Sequence, residues 1–107
     1  MYETKKNKIA VKKIASFLKS EYTGEKFFVT TISSLNNIKN NSILFFSEQS
    51  NLKFKLKDTV KYDLKKLKNF KNIIIITTDE FKNRFNIPVI VSKHPRLAFS
   101  RVIMKFF

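Results

Sequence analysis

The run Ile73–Ile76, followed directly by Thr77 and Thr78, restricts the possible folds more than any other part of this sequence. An unbroken series of β-branched side chains favours an extended strand over a helix. Side chains alternate between the two faces of a sheet, so a run without polar alternation is typical of a strand covered on both faces. The run therefore predicts the central strand of a buried sheet.

Two segments have the periodicity of amphipathic helices. Apolar residues recur every three or four positions in a predicted helix over 8–20: Val11, Ile14, Ala15 and Leu18. Asn7 is its expected N-cap, and Gly24 is the expected break after it. A second helix is predicted from Pro95, which suits a first helical position, and its apolar face carries Phe99, Val102, Ile103 and Phe106.

Further strands are predicted on both sides of the central run, at 27–32, 42–47, 52–57 and 87–92. An Asn-rich turn, 36–41, separates the first two. In 52–57, Leu and Phe alternate with Lys, which is typical of a half-buried edge strand. Helical spacing returns at Val60, Leu64 and Leu67, and Asp79 is the expected cap of a short helix that ends at Phe85.

These elements fit one domain of 107 residues, because a second independent core would be too small to be stable. Helices and strands alternate without an internal repeat or a linker. The sequence thus predicts a single small α/β (α+β) domain over 1–107, with a mixed β-sheet flanked by helices and no hexapeptide β-helix. Helices 8–20 and 95–106 are expected to pack on the sheet.

The formal net charge of +14 has two interpretations. One is binding to nucleic acid, an anionic membrane surface or a phosphorylated ligand. The other is a bias in coding composition, since Lys, Asn, Ile and Phe are all abundant. Nucleic acid is not favoured, because the aromatic residues fall mostly on predicted core stripes and arginines are few. Any nucleic-acid binding is expected to be non-specific and sensitive to salt.

The chain shows none of the residue arrangements that are typical of active sites. It has no cysteine, one histidine (His94), one glycine (Gly24) and eight scattered carboxylates. The absence of cysteine excludes thiolate chemistry, and a single glycine excludes a glycine-rich phosphate loop. No spacing among the histidine and the carboxylates suits a metal ion. We expect no catalytic residue, no metal and no cofactor in this chain. No signal peptide or membrane span is evident, so a cytoplasmic location is expected.

The segment 94–107 carries a resemblance whose specific part is 95–101. Its beginning, His-Pro-Arg-Leu-Ala-Phe-Ser-Arg, resembles the Asn-Pro-Arg-Leu-Ala-Phe-Ala-Arg helix at the end of the amino-terminal domain of UDP-3-O-acylglucosamine N-acyltransferases. These enzymes add an acyl chain in lipid A synthesis. The first helix, Ile32–Leu35, Asn41–Phe46 and Ile73–Thr77 resemble further segments of that domain in the same order. A domain of similar design opens the enzymes that add amino acids to UDP-muramyl peptides.

The resemblance implies a substrate-binding site for the uridine of a sugar nucleotide. The family motif Phe-x-x-Asn-x-x-Tyr stacks uracil between two aromatic rings, and Phe45 matches its first residue. Glu48 stands at the Asn and Asn51 at the Tyr. Phe45, Glu48 and Asn51 are thus the candidate site residues. Because one stacking ring is missing and a carboxylate is added, binding of a UDP-sugar is expected to be weak.

The family also has a catalytic domain of hexapeptide repeats, which is absent from these 107 residues. N-acyltransferase activity, contact with acyl carrier protein and assembly into a homotrimer are implied only together with that domain. Two alternative functions remain open at this point. One is a basic module that binds nucleic acid or an anionic membrane surface, and the other is a pure interaction or stability module.

Overall fold

In a computed structural model, helices and strands alternate along the chain as predicted. The structure describes residues 8–20, 22, 24–34, 37–47, 67, 69–84 and 87–107. In these ranges the elements are β1 (Ile9–Ala10), α1 (Val11–Phe17), β2 (Phe28–Val29), β3 (Thr31–Ile32), β4 (Ser42–Phe45), β5 (Ile73–Thr77), a 3-10 turn (Lys82–Arg84), β6 (Val89–Val91) and α2 (Pro95–Phe106). The predicted strand 52–57 and, apart from Leu67, the helix after it lie outside the described residues.

The isoleucine run forms an inner strand, as predicted. All five residues of β5 are buried, and β5 lies between β4 and β6 in a four-stranded parallel sheet of order β3-β4-β5-β6. Ser42 is opposite Ile73 on one side, and Ile75 is opposite Val89 on the other. Pro88 directly precedes β6 at the edge of this described sheet, and its carbonyl accepts a hydrogen bond from the N–H of Ile75 at 3.2 Å.

The fold class is confirmed: the chain is a small single domain of mixed α/β type. Parallel and antiparallel pairings occur in two separate sheets, because β1 and β2 form their own antiparallel pair. The segment 27–32, predicted as one strand, divides at Thr30 into β2 and β3. The N–H of Thr30 donates to the carbonyl of Asn41 at 2.8 Å, where the chain passes from one sheet to the other.

Both predicted terminal helices pack on the same face of the parallel sheet. That face presents Ile43, Ile74, Ile76 and Ile90, and the helices cover it with Val11, Ile14, Ala15, Ala98 and Val102. From the predicted stripe of α2, Val102 is fully buried and Phe99 and Phe106 are partly buried. The opposite face has its own apolar cluster, formed by Ile38, Leu44, Phe46, Leu67, Ile73, Ile75 and Phe81.

Helix α1 is shorter than the predicted helix over 8–20. Ile9 and Ala10 pair with β2 instead, and the N–H of Val11 donates to the carbonyl of Phe27 at 3.0 Å. At the other end Lys19 adopts the left-handed conformation (φ 57°), and the N–H of Ser20 donates to the carbonyl of Ala15 at 2.8 Å. These bonds form a Schellman motif, so the helix ends well before Gly24.

The predicted N-cap Asn7 lies outside the described residues, and Gly24 has a different role from the predicted one. The ring of Tyr22 lies across Gly24, where a Cβ atom would be 2.8 Å from the Tyr22 hydroxyl oxygen. That hydroxyl donates a hydrogen bond to the carbonyl of Glu25. Burial, and secondarily the charge of Glu25, raise the pKa of Tyr22.

The short helix predicted from Asp79 to Phe85 is replaced by a turn and the 3-10 turn Lys82–Arg84. Asp79 lies three residues before this turn, and its Oδ1 forms an ion pair with Lys82 Nζ at 2.8 Å. Phe81 is buried, with its ring centroid 5.1 Å from that of Phe46 in an edge-to-face arrangement. Phe85 lies outside the described residues.

Two asparagines align the beginnings of β4 and β5. Asn41 and Asn72 each adopt the left-handed conformation directly before their strand, with φ of 56° and 57°. The side-chain amide of Asn72 donates to Oδ1 of Asn41 at 2.7 Å. The N–H of Asn41 donates to the carbonyl of Lys71 at 2.9 Å. Asparagine tolerates this conformation better than most residues, which explains its use at both positions.

Candidate functional site

The carboxyl ends of three parallel strands meet at a cavity of about 640 Å³. Ser47 follows β4 and Thr78 follows β5, and both line it together with Lys93 and His94 from the loop after β6 and Arg96 from the first turn of α2. Ligands of open parallel sheets bind in the crevice outside the carboxyl ends of the strands. We call this cavity the strand-end cavity, and it is the candidate functional site.

The position of α2 determines one wall of the strand-end cavity. Pro95 occupies the first turn of the helix, as predicted, and His94 is the N-cap residue with an extended φ of −132°. The N–H of Ala98 donates to the carbonyl of His94 at 2.9 Å, and the N–H of His94 donates to Ser92 Oγ at 3.2 Å. These bonds fix the loop before α2. Lys93 from this loop and Arg96 from the first helical turn lie at the same cavity.

The charges at the strand-end cavity are mainly positive. Lys93 and Arg96 are exposed cations, and Glu80 is the carboxylate among the lining residues. Thr78 also lines the cavity, and its Oγ1 is buried and has no hydrogen-bond partner in the described part of the chain. A buried hydroxyl without a partner is unfavourable by about 1–3 kcal/mol. Because its exposed cations outnumber its carboxylates, the cavity suits an anionic ligand.

A second cavity of about 540 Å³ lies at the same edge of the sheet. It is lined by Lys19 and Ser20 from the end of α1, by Asp79 and Lys82, and by Lys93, which it shares with the strand-end cavity. The hydroxyl of Ser20 donates to the carbonyl of Val91 at 2.8 Å, which ties the end of α1 to β6. The positive character thus continues along this edge.

Of the three candidate site residues, Phe45 is the one that the structure describes. Its half-buried ring lies on the helix-covered face, with its centroid 4.9 Å from that of Phe99 and the ring planes tilted by 41°. It is two residues before Ser47 but is not among the residues that line the strand-end cavity. Glu48 and Asn51 lie outside the described residues.

Sequence reasoning did not single out Ser47, Thr78, Lys93 or Arg96 as candidate site residues. A signal was available for the first three, because each comes at or just after the end of a predicted strand. Parallel pairing brings such positions to one edge of the sheet. The sequence showed the strands but not that their pairing is parallel.

The described residues contain no group of three or more His, Cys, Asp or Glu side chains that could hold a metal ion. In the same part of the chain, neither helix is long and apolar enough to cross a membrane.

Compared with known proteins, the chain matches no protein-family model and no curated sequence.

Proposed function

We propose that this chain is a non-catalytic, ligand-binding domain similar to the amino-terminal domain of UDP-3-O-acylglucosamine N-acyltransferases, and that it binds a UDP-sugar in the strand-end cavity. One observation carries the proposal. The segment 95–101, on which the resemblance is most specific, supplies Pro95, Arg96 and Leu97 to the wall of that cavity.

The size of the cavity supports a small-molecule ligand. Ligand pockets are typically about 300–1,000 Å³ in volume, and the strand-end cavity falls within this range. Lys93 and Arg96 provide cations for a diphosphate, and a guanidinium can donate two parallel hydrogen bonds to one phosphate. Ser47 and Thr78, which follow β4 and β5, line the same cavity.

The proposed affinity is low. Phe45 packs against Phe99, and Asn51 replaces the second aromatic residue of the family motif. Without that ring, about 1–3 kcal/mol of base stacking is lost. We expect a Kd on the order of millimolar, or about −4 kcal/mol.

The proposed function of these 107 residues is binding and does not include chemistry. Acyl transfer, contact with acyl carrier protein and trimer formation would require a hexapeptide-repeat domain in addition to these 107 residues. A cytoplasmic location belongs to the proposal, since UDP-sugars are its ligands.

Chemical-shift mapping with UDP-N-acetylglucosamine tests this function. We expect shifts at Ser47, Thr78 and 93–97, and weaker shifts with uridine, which lacks the phosphates. Arg96→Gln should weaken binding of UDP-N-acetylglucosamine about fivefold or more, because a charge-assisted hydrogen bond is lost. Lys12→Gln is the matched control, since it removes the same charge from the exposed face of α1.

Two results would contradict the proposal. One is the absence of shifts at 93–97 at high ligand concentration. The other is equal weakening by Arg96→Gln and Lys12→Gln, which would indicate general attraction of an anion to a basic protein rather than a site.

A further inference from the structure

Helix α2 and the residue after it carry large apolar side chains on the exposed side as well as on the buried side. Leu97 is 59% exposed, Met104 is 85% exposed, and Phe107, directly after the helix, is 46% exposed. Leu97 and Met104 are seven residues apart, which places them on one line along the helix, and Phe107 lies one turn further. The opposite side, with Pro95, Ala98 and Val102, is buried against the sheet. We call the exposed line of Leu97, Met104 and Phe107 the outer apolar line.

Every charged side chain of α2 is basic. Arg96, Arg101 and Lys105 are all exposed, and the helix contains no Asp or Glu. At 100° per residue, Arg101 and Lys105 flank the outer apolar line on one side and Arg96 flanks it on the other. The guanidinium of Arg101 also lies 5.3 Å from the ring centroid of Phe17, which holds it beside the line.

This arrangement suits an anionic lipid surface. Helices that lie in the membrane interface have an apolar line bordered by Lys and Arg, whose stems follow the apolar surface while their charges meet the phosphates. The outer apolar line is part of a single convex helix rather than a groove, and a flat bilayer can cover such a surface. The net charge of +14 adds long-range attraction to an anionic surface.

We propose that α2 docks the domain on anionic membranes, with the outer apolar line at the boundary of headgroups and acyl chains and with Arg101 and Lys105 at lipid phosphates. The helix lies along the surface and does not cross it. This inference does not need the UDP-sugar proposal: Leu97 belongs to both surfaces, but Met104, Arg101 and Lys105 are not among the residues that line the strand-end cavity.

Vesicle flotation tests the docking. The wild-type domain should bind vesicles of phosphatidylcholine mixed with phosphatidylglycerol and should leave pure phosphatidylcholine vesicles unbound. Met104→Ser should weaken binding about tenfold, because the most exposed apolar side chain no longer enters the interface. Lys105→Gln should weaken it about fivefold, as expected for one basic residue at an anionic surface.

Matched controls separate the α2 face from the rest of the surface. Phe28→Ser removes another exposed apolar side chain, 54% exposed on β2, without changing the charge. Lys12→Gln removes one charge from the exposed face of α1. Both controls should bind anionic vesicles within about twofold of wild type, because neither residue belongs to α2. Circular dichroism should show the wild-type spectrum for all four variants.

Several results would overturn the docking proposal. Unchanged binding of Met104→Ser would show that the outer apolar line makes no contact with lipid. Equal weakening by the controls would show that no particular face is used. Equal binding to both kinds of vesicle would remove the role of charge. Binding to duplex DNA without binding to vesicles would assign the basic surface to nucleic acid instead.

Discussion

The contact between Phe45 and Phe99 permits a test that separates a structural role of Phe45 from a ligand-binding role. The ring centroids are 4.9 Å apart, and both rings are partly buried between β4 and α2. The perturbation is a double-mutant cycle with Phe45→Ala, Phe99→Ala and the combination of both. It measures the interaction energy of the pair in the absence of any ligand.

The expected magnitudes follow from the burial and the ring geometry. Truncation of a buried Phe to Ala lowers the free energy of unfolding by about 3–5 kcal/mol. Because Phe45 and Phe99 are only partly buried, we expect about 2–3 kcal/mol for each single variant. Aromatic pairs at such distances contribute about 0.5–1.5 kcal/mol beyond burial. The double variant should therefore be less destabilised than the sum of the singles by about that amount.

Urea titrations of the four proteins provide the measurement, with comparable m-values as the check that the two-state analysis holds. An interaction energy below about 0.3 kcal/mol would refute the reasoning, because such values are typical of independent sites. Phe45 would then not depend on Phe99 for its position, and its ring would be available to stack on a base. An interaction energy of the expected size would instead indicate that Phe45 stabilises the packing of α2 on the sheet.

Three further predictions concern the core and the pH dependence of stability. Thr77→Val should raise the free energy of unfolding by about 1–3 kcal/mol in urea titrations, since the buried Oγ1 of Thr77 has no partner in the described part of the chain; destabilisation would refute this. Amide exchange should be slowest in β5, whose residues are all buried, and fast exchange there would contradict the sheet order. Because the folded state raises the pKa of Tyr22 above its usual value of about 10, stability that is fully present below pH ~10 should decrease as the pH rises through the raised pKa. Tyr22→Phe should remove this decrease, and an unchanged pH profile would show that another group causes it.

The elements that the sequence predicted best are those in which local pattern and tertiary environment agree. The run Ile73–Thr77 is β-branched throughout and is buried throughout, so strand propensity and packing favour the same conformation. Pro95 likewise combines a fixed φ with a missing N–H, both of which suit the beginning of α2.

The elements that were predicted wrongly depend either on partners distant in sequence or on a backbone conformation that the residue type does not indicate. Ile9 and Ala10 have helical spacing with α1, but pairing with β2 draws them into a strand. Lys19 ends α1 in a left-handed conformation that glycine usually adopts, so nothing in the composition marks the position. The strand-end cavity was missed for a related reason, because it exists only when β4, β5 and β6 are parallel.

The agreement between chain order and strand order in the parallel sheet has a consequence for biosynthesis. Among the described strands, each of β4, β5 and β6 pairs with the strand made just before it, so the sheet can grow at one edge as the polypeptide leaves the ribosome. Because α1 is made first, the face of Ile43, Ile74 and Ile76 is only partly covered until α2 emerges and contributes Ala98 and Val102. During synthesis this face is the surface that a nascent-chain chaperone would recognise, and α2 is the segment that would displace it.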